Sequence, residues 1–316
     1  MFKALFQFSG GLVLFLWGLQ KIKKDFQQIV SFKVQEALSN LTLNFMFAII
    51  TGLIITILIQ SSSAAIIIII SLVNLKLLNF RQAVGIVVGA NIGTTVTVQL
   101  ISFNLSNYLE FMFISALFFY LIYYFTKINF SKYLGQGLIS FSVLLGGLEL
   151  LSSSLSGLEN SLEFVTLLHY LFLWPGLGLL VGLVITAIVQ SSSAVTGLVV
   201  ALAKQKLIVL EAALAVALGS NVGTCITAFL ASVGSTREAK LTAWAHLYFN
   251  IIGVVVFAPL LPLLNYLLQQ FSFDLPRQIA NAHTIFNFLT AIIIFLGRDK
   301  FITIIHKIHY QARKEV

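Results

Sequence analysis

Charge is the property this chain has least of. Asp, Glu, Lys and Arg make up 9% of its 316 residues, whereas hydrophobic residues make up 59%. A soluble domain carries about 25% charged residues, so this chain cannot cover a surface that faces water. The composition therefore predicts an integral membrane protein. Its net charge of +8 is expected to set orientation in the bilayer, and we expect no nucleic-acid partner.

Cysteine and centrally placed carboxylates are also scarce. Cys225 is the only cysteine, which excludes a disulfide framework and a cysteine metal cluster. All 11 acidic residues fall in tails, loops or near the ends of apolar segments, as Glu110 and Glu149 do. Proton relays usually place a carboxylate at membrane depth. A neutral site that binds an anion must instead bring in cations, so this absence favours cation-coupled anion uptake.

Two polar motifs each occur twice. Gln60–Ser63 has the sequence Gln-Ser-Ser-Ser, and Gln190–Ser193 repeats it 130 residues later. Gly89–Thr95 and Gly219–Cys225 share Gly-x-Asn-x-Gly-Thr at the same offset. Residues 52–97 and 182–227 are identical at 18 of 46 ungapped positions. Such a duplication indicates two copies of one unit.

Apolar segments of about 20 residues can cross a bilayer. The sequence predicts seven such spans: Ala4–Gln20, Ala83–Ile101, Tyr108–Thr126, Leu134–Leu151, Ala212–Ser232, Leu241–Ala258 and Ile279–Gly297. The first has no small-residue cleavage site after it and is expected to be retained. Amphipathic spacing predicts interfacial helices at Asp25–Ser39 and around Leu155–Val165.

Two apolar arms flank each Gln-Ser-Ser-Ser tip, and those of the first copy are short. The arms are Asn44–Ile59 and Ala64–Leu75 in the first copy, and Thr166–Val189 and Ala194–Val209 in the second. Half-length arms around a polar tip predict a re-entrant helical hairpin in each copy. The Gly-x-Asn segments lie at the centres of spans 83–101 and 212–232, where they predict a broken helix that lines protein or a wet cavity.

The basic residues predict the orientation. With the N-terminus outside, 15 of the 19 Lys and Arg residues fall inside, as the positive-inside rule requires. The two copies then enter the membrane from opposite sides. We therefore predict an all-α polytopic membrane protein with two inverted-topology repeats, 1–126 and 127–297, where the second range also includes two further spans. The basic tail 298–316 is expected in the cytoplasm, and the plasma (inner) membrane is the expected location.

The duplicated tips offer hydroxyls, amides and unwound backbone. Hydroxyl and carbonyl oxygens suit small hard cations such as Na⁺, and the same hydroxyls and amide NH₂ groups donate hydrogen bonds. Free N–H groups at a helix N-terminus favour anions. Small polar residues can also serve only to pack helices closely, but the duplication favours a site.

His246–Asn250 and His283–Asn287 both have the sequence His-x-x-Phe-Asn. Each puts His and Asn one turn apart on one helix face. They can support the site, respond to protons or simply bond neighbouring helices, and the last interpretation is slightly favoured.

An intramembrane serine hydrolase is disfavoured, because no Gly-x-Ser-x-Gly turn is present and neither serine cluster has an adjacent base. A channel stays open as an alternative, although an inverted duplication suits alternating access better.

These motifs resemble the type II sodium/phosphate cotransporter family over roughly Gly10 to Gly297. Val222 and Cys225 depart from its usual Ile and Ser or Thr. The resemblance implies Na⁺-coupled uptake of inorganic phosphate, with Na⁺ as coupling ion and no cofactor, and a homodimer is an open option. A Na⁺-coupled carrier of another small oxyanion, such as sulfate, is the alternative. The sequence ends at Val316 without the PhoU-type C-terminal domain of many bacterial relatives, so we expect a short member.

The resemblance also implies roles for individual residues. Expected phosphate ligands are Gln60, Ser61, Ser62, Ser63, Gln190, Ser191, Ser192 and Ser193. Expected Na⁺ ligands are Asn91, Thr94, Thr95, Asn221 and Thr224, together with Gln60 and Gln190. Expected supporting residues are Thr56, Thr186, His246, Asn250, His283 and Asn287.

Overall fold

A computed structural model describes residues 2–27, 42–103, 105, 108–155, 161–271 and 274–311. These residues form helices joined by short turns and contain no strand. The helices are α1 (Phe2–Gln27), α2 (Phe45–Ile59), α3 (Ser62–Asn74), α4 (Phe80–Ser102), α5 (Leu109–Thr126), α6 (Asn129–Leu155), α7 (Leu162–Leu173), α8 (Pro175–Val189), α9 (Ser192–Lys204), α10 (Leu210–Gly223), α11 (Cys225–Ser232), α12 (Arg237–Phe257), α13 (Leu261–Phe271), α14 (Leu275–Leu296) and α15 (Arg298–Gln311).

Six helical segments of this part of the chain are long and apolar enough to cross a membrane. They are α4, α5, α6, α10 with α11, α12 and α14, and they match six of the seven predicted spans. The remaining span, Ala4–Gln20, lies within the 26-residue helix α1. The predicted interfacial segment Asp25–Ser39 lies almost wholly outside the described residues.

The first arm of the second hairpin begins later than predicted. The chain bends by 110° between α7 and α8, so Thr166–Val189 is not one helix. Pro175 causes this break, because it cannot donate a backbone hydrogen bond and it disfavours helical geometry at the residue before it. Trp174 accordingly has φ −126° and ψ 82°. The arm is α8, which begins at the position equivalent to the start of α2.

Both hairpins have the predicted form. Their arms, α2 with α3 and α8 with α9, are 15 and 13 residues long in each copy. At 1.5 Å per residue they reach only about 20–22 Å, less than the ~30 Å hydrocarbon core. Each first arm ends at a glutamine in the left-handed region, Gln60 (φ 54°) and Gln190 (φ 58°). The chain therefore reverses at the tip without crossing.

The predicted break in the first duplicated span is wrong. Helix α4 runs without interruption through Gly89–Gly93, whereas the second copy is interrupted only at Thr224, between α10 and α11. The glycines are needed for close packing instead. A Cβ at Gly89 would lie 1.9 Å from the carbonyl oxygen of Ile49 in α2. Helices α2 and α4 thus pack backbone to backbone.

The second copy has the same close contact, and we call the α2–α4 and α8–α10 contacts the seams. A Cβ at Gly219 of α10 would lie 1.9 Å from the carbonyl oxygen of Leu179 in α8. One contact of the seam is exchanged between the copies. Gly85 of α4 faces Ala48 of α2, whereas Gly178 of α8 faces Ala215 of α10. Each pair therefore holds one methyl group, supplied by opposite helices.

Helices α1 and α6, which begin the two copies, pack against each other with opposite chain directions. Gly11 lies against Leu151, Gly18 against Leu144, and Gly147 against Phe15. Residue numbers rise along α1 as they fall along α6, so the two helices are antiparallel. Phe15 is fully buried at the centre of this contact.

Substituting a seam glycine tests this packing. Gly89→Ala or Gly219→Ala should force the two helices apart and cost about 1–3 kcal/mol, as overpacking does. Gly146→Ala is the matched control, because no heavy atom lies within 4 Å of a Cβ there. Thermal unfolding of the purified protein in detergent should show a lower midpoint for the seam variants only. Equal midpoints for all three would show that the seam is not tight.

The inverted repeats predicted from the sequence imply opposite accessibility at two equivalent turns. Lys76 and Lys206 are exposed, lie 130 residues apart and both have positive φ, 60° and 57°. Each is replaced by Cys in a Cys225→Ala background and treated with an impermeant thiol reagent on intact cells. Position 206 should react from outside and position 76 only after the cells are opened. Reaction of both from the same side would contradict inverted copies.

Candidate functional site

The two hairpin tips, separated by 130 residues, meet in one pocket. Its lining consists of Gln60, Ser61, Ser62, Ser63, Thr94, Thr97, Ser191, Ser192 and Ser193. Every lining residue is uncharged and carries a hydroxyl or an amide. The fold therefore brings together side chains that the sequence analysis could associate only through their duplication.

Each tip is built by the same local rule. Ser61 caps helix α3, its Oγ accepting a hydrogen bond from the Ala64 N–H at 3.2 Å. Ser191 caps α9 in the same way through Ala194, at 3.4 Å. The first N–H groups of a helix have no partner within the helix. Two helix N-termini, each with positive partial charge, thus lie at one pocket.

A second pocket adjoins the first and shares Ser62, Thr94 and Ser192 with it. Its lining consists of Ser62, Asn91, Thr94, Ser192, Asn221, Thr224, His246 and Asn287. These residues come from both copies and from the two later helices α12 and α14. Their amide and hydroxyl oxygens are hard ligands of the type that small cations prefer.

Hydrogen bonds hold the asparagines around this second pocket. His283 Nε2 lies 3.1 Å from Asn221 Oδ1, joining α14 to α10. Asn250 Nδ2 donates to the carbonyl of His246 at 3.0 Å and lies 3.4 Å from Cys225 Sγ. Asn91 Nδ2 donates to its own helix, at Val87 O, 2.8 Å away. The Oδ1 atom of Asn91 is thereby turned away from the helix carbonyl.

Several buried polar atoms near the site have no hydrogen-bond partner among the described residues. They include the hydroxyls of Thr56 and Thr186, Asn221 Nδ2, Asn250 Oδ1, and the Nδ1 atoms of His246 and His283. A buried unpaired polar group is costly, at about 1–3 kcal/mol. Asn221 and His246 line the second pocket, where such unpaired atoms are typical of a site that receives polar or charged ligands.

The structure places most of the predicted site residues at these pockets, but not all. Gln190 is exposed and lines neither pocket, unlike its equivalent Gln60. Thr95 lines neither pocket, and its hydroxyl donates to Ile92 O at 2.8 Å. Thr56 and Thr186 are buried against Gly93 and Gly223 at the helix seams. His246 and Asn287 line the second pocket directly, whereas they were predicted only to support it.

Thr97 is a lining residue that the sequence analysis missed. Its hydroxyl donates to Gln60 Oε1 at 2.8 Å and fixes the amide of the first tip. A signal was available, because Thr227 stands 130 residues later. Both threonines lie just beyond the Gly-x-Asn-x-Gly-Thr motif and were not assigned to it.

The sequence model of one protein family, described as Na+/Pi-cotransporter, matches residues 14–153 and 158–296. The chain belongs to this family. The resemblance inferred from the motifs is confirmed, and the chain is a multi-pass membrane protein of a transporter family. No solved structure matches the chain significantly.

Named relatives of this family member come from bacteria and animals. The chain is 31% identical over 303 residues to uncharacterized protein YqeW of Bacillus subtilis, covering 96% of this chain and 97% of that protein. It is 23% identical over 290 residues to putative inorganic phosphate export protein YjbB of Escherichia coli, covering 92% and 53%. It is 37% identical over 99 residues to human sodium-dependent phosphate transport protein 2B, covering 29% and 14%. The chain thus spans about half the length of YjbB and one seventh of the human protein.

Proposed function

We propose that this protein carries inorganic phosphate across the plasma membrane, coupled to Na⁺, by alternating access. The observation that carries the proposal is the meeting of the two Gln-Ser-Ser-Ser tips in one uncharged, polar pocket. The names of two relatives, which refer to phosphate export and sodium-dependent phosphate transport, support the substrate and the ion.

The first pocket suits a tetrahedral oxyanion. The N-termini of α3 and α9 present free N–H groups and positive partial charge, and Ser62, Ser63, Ser192 and Ser193 add hydroxyl donors. No carboxylate that would repel an anion lines the pocket. Phosphate is therefore expected at the tips, with hydrogen bonds from both copies.

The second pocket suits the coupling cation. Asn91, Thr94, Asn221 and Thr224 surround it, and no charged side chain lines it. Because the pockets share three residues, a cation here would lie close to the anion and offset its charge. Each ligand then raises the affinity for the other by the same factor. This arrangement supports sodium coupling without a central carboxylate.

Alternating access is supported by the arrangement of the two copies, 1–126 and 127–297. Helices α1 and α6, which hold equivalent places, are antiparallel, as inverted repeats require. The Arg81–Asp299 ion pair, 2.7 Å, joins two residues predicted inside, and the Lys204–Glu149 pair, 3.3 Å, joins two predicted outside. Each ion pair thus joins residues of one predicted side, which supports the predicted crossings between them.

The proposed direction is uptake, because Na⁺ enters a cell down its gradient and takes phosphate with it. Export is the second candidate, and the printed names of the YjbB relatives favour it. Proteoliposomes with Na⁺ and labelled phosphate on the same or opposite sides distinguish the two. Competition by sulfate and arsenate in the same assay separates a phosphate carrier from a carrier of other oxyanions.

Sodium dependence should be altered by Thr94→Val and Thr224→Val. Valine keeps the shape of threonine but removes the oxygen, so the Na⁺ concentration for half-maximal transport should rise more than the phosphate KM measured at saturating Na⁺. Thr126→Val, at an exposed position at the end of α5, is the control and should leave both values unchanged. Phosphate accumulation driven by a pH gradient with K⁺ in place of Na⁺ would contradict the sodium proposal.

Phosphate binding should be weakened by Ser62→Ala and Ser192→Ala. Each removes a hydroxyl from both pockets, and a hydrogen bond to a charged group contributes about 1.5–3 kcal/mol, or about 10- to 150-fold in affinity. Initial rates of phosphate transport in proteoliposomes measure the effect. Ser153→Ala, an exposed serine of α6, provides the control. Wild-type rates in both tip variants would mean that these serines only pack.

A further inference from the structure

The two hairpin tips have the same sequence and the same backbone conformation, but different surroundings. Gln60 and Gln190 both lie in the left-handed region, with ψ 31° and 29°. The Gln60 side chain is 9% exposed, its Nε2 donates to Ile57 O at 2.6 Å, and its Oε1 accepts from Thr97 at 2.8 Å. Gln190 is exposed. The difference therefore arises in packing and not in the tip itself.

The threonines opposite the tips differ in the corresponding way. Thr97 and Thr227 are equivalent and equally buried, each 6% exposed. The Thr97 hydroxyl leaves its own helix and donates to Gln60. The Thr227 hydroxyl instead donates to Thr224 O, one turn back in its own segment, at 2.8 Å. One threonine fastens a tip and the other does not.

The helices that carry these threonines also differ. Helix α4 is continuous where Thr97 is bonded to the tip. The equivalent segment is interrupted at Thr224, the residue whose carbonyl accepts the Thr227 hydroxyl. The interruption and the unfastened tip thus occur in the same copy.

We propose that Thr97 and Thr227 are positioning residues, each of which hydrogen-bonds the tip glutamine of its own copy in one of two alternate conformations. Thr97 holds Gln60 in the present conformation, and Thr227 holds Gln190 in the opposite one, in which Gln60 is released. This proposal rests on the proposed function, since alternating access by inverted copies requires a second conformation in which the copies exchange roles.

Two cysteine pairs report the two states in a Cys225→Ala background. One protein carries Gln60→Cys with Thr97→Cys, and the other carries Gln190→Cys with Thr227→Cys. Each is treated in membranes with a short bifunctional thiol reagent, and cross-linked protein is counted by the loss of thiols available to a maleimide that shifts gel mobility. Both pairs should cross-link.

The decisive measurement is the effect of each threonine on the cross-linking rate of the cysteine pair in the other copy. Adding Thr227→Val to the 60/97 pair removes the fastening of the other state, so the rate of 60/97 cross-linking should rise about two- to tenfold, as expected for one hydrogen bond. Adding Thr97→Val to the 190/227 pair should likewise raise its rate. Serine at the same positions keeps the hydroxyl and should leave both rates unchanged.

Failure of the 190/227 pair to cross-link, or valine variants that leave or lower the rates, would overturn the alternating fastening. These measurements need no substrate, so they are separate from the test of phosphate transport. In proteoliposomes that contain the otherwise wild-type protein, Thr97→Val should lower the turnover rate more than it raises the phosphate KM. Thr97→Ser should keep normal turnover. A change in KM alone would also overturn the proposal, because it would make Thr97 a ligand.

Discussion

Unpaired backbone groups at membrane depth are the constraint on which this architecture depends. Each hairpin is predicted to end within the hydrocarbon region, where a lipid-exposed N–H or C=O is not tolerated. Ser61 and Ser191 satisfy one N–H each as helix caps, and serines of both tips line one pocket. Each hairpin thus covers the polar end of its equivalent, and the site is formed where these groups meet.

In the first copy, the Gly-x-Asn-x-Gly-Thr motif serves both packing and the pocket because it lies on a regular helix. In α4, Gly89 and Gly93 are one turn apart and face α2, where any Cβ would clash. Asn91 and Thr94 lie on another face and line the second pocket. The glycine face of α4 sets the distance between α4 and the hairpin arm α2. The polar face of α4 lies at the tip in which α2 ends. The spacing of the motif therefore places its packing face and its pocket-lining face on one helix.

Much of this arrangement could be predicted from the sequence, and the failures have physical causes. The hairpins could be predicted from the apolar arms around Gln60 and Gln190, because a helix shorter than the hydrocarbon core cannot cross it. The break at Gly89–Gly93 was wrongly predicted, since glycine permits both a broken helix and close packing, and only the neighbouring α2 decides between them. The contrast between Gln60 and Gln190 could not be predicted at all. Identical tips differ only through tertiary contacts, here Thr97.

The exchanged methyl groups of the two seams have a consequence for the history of the duplication. Ala48 faces Gly85 in one copy, and Gly178 faces Ala215 in the other. A gene conversion that copied α2 onto α8 would place alanine against Ala215, two methyl groups where the seam holds one. The reverse transfer would set glycine against Gly85 and leave a gap. Each hairpin arm thus fits only the partner helix of its own copy. Transfer of a single helix sequence between the copies would disturb the packing.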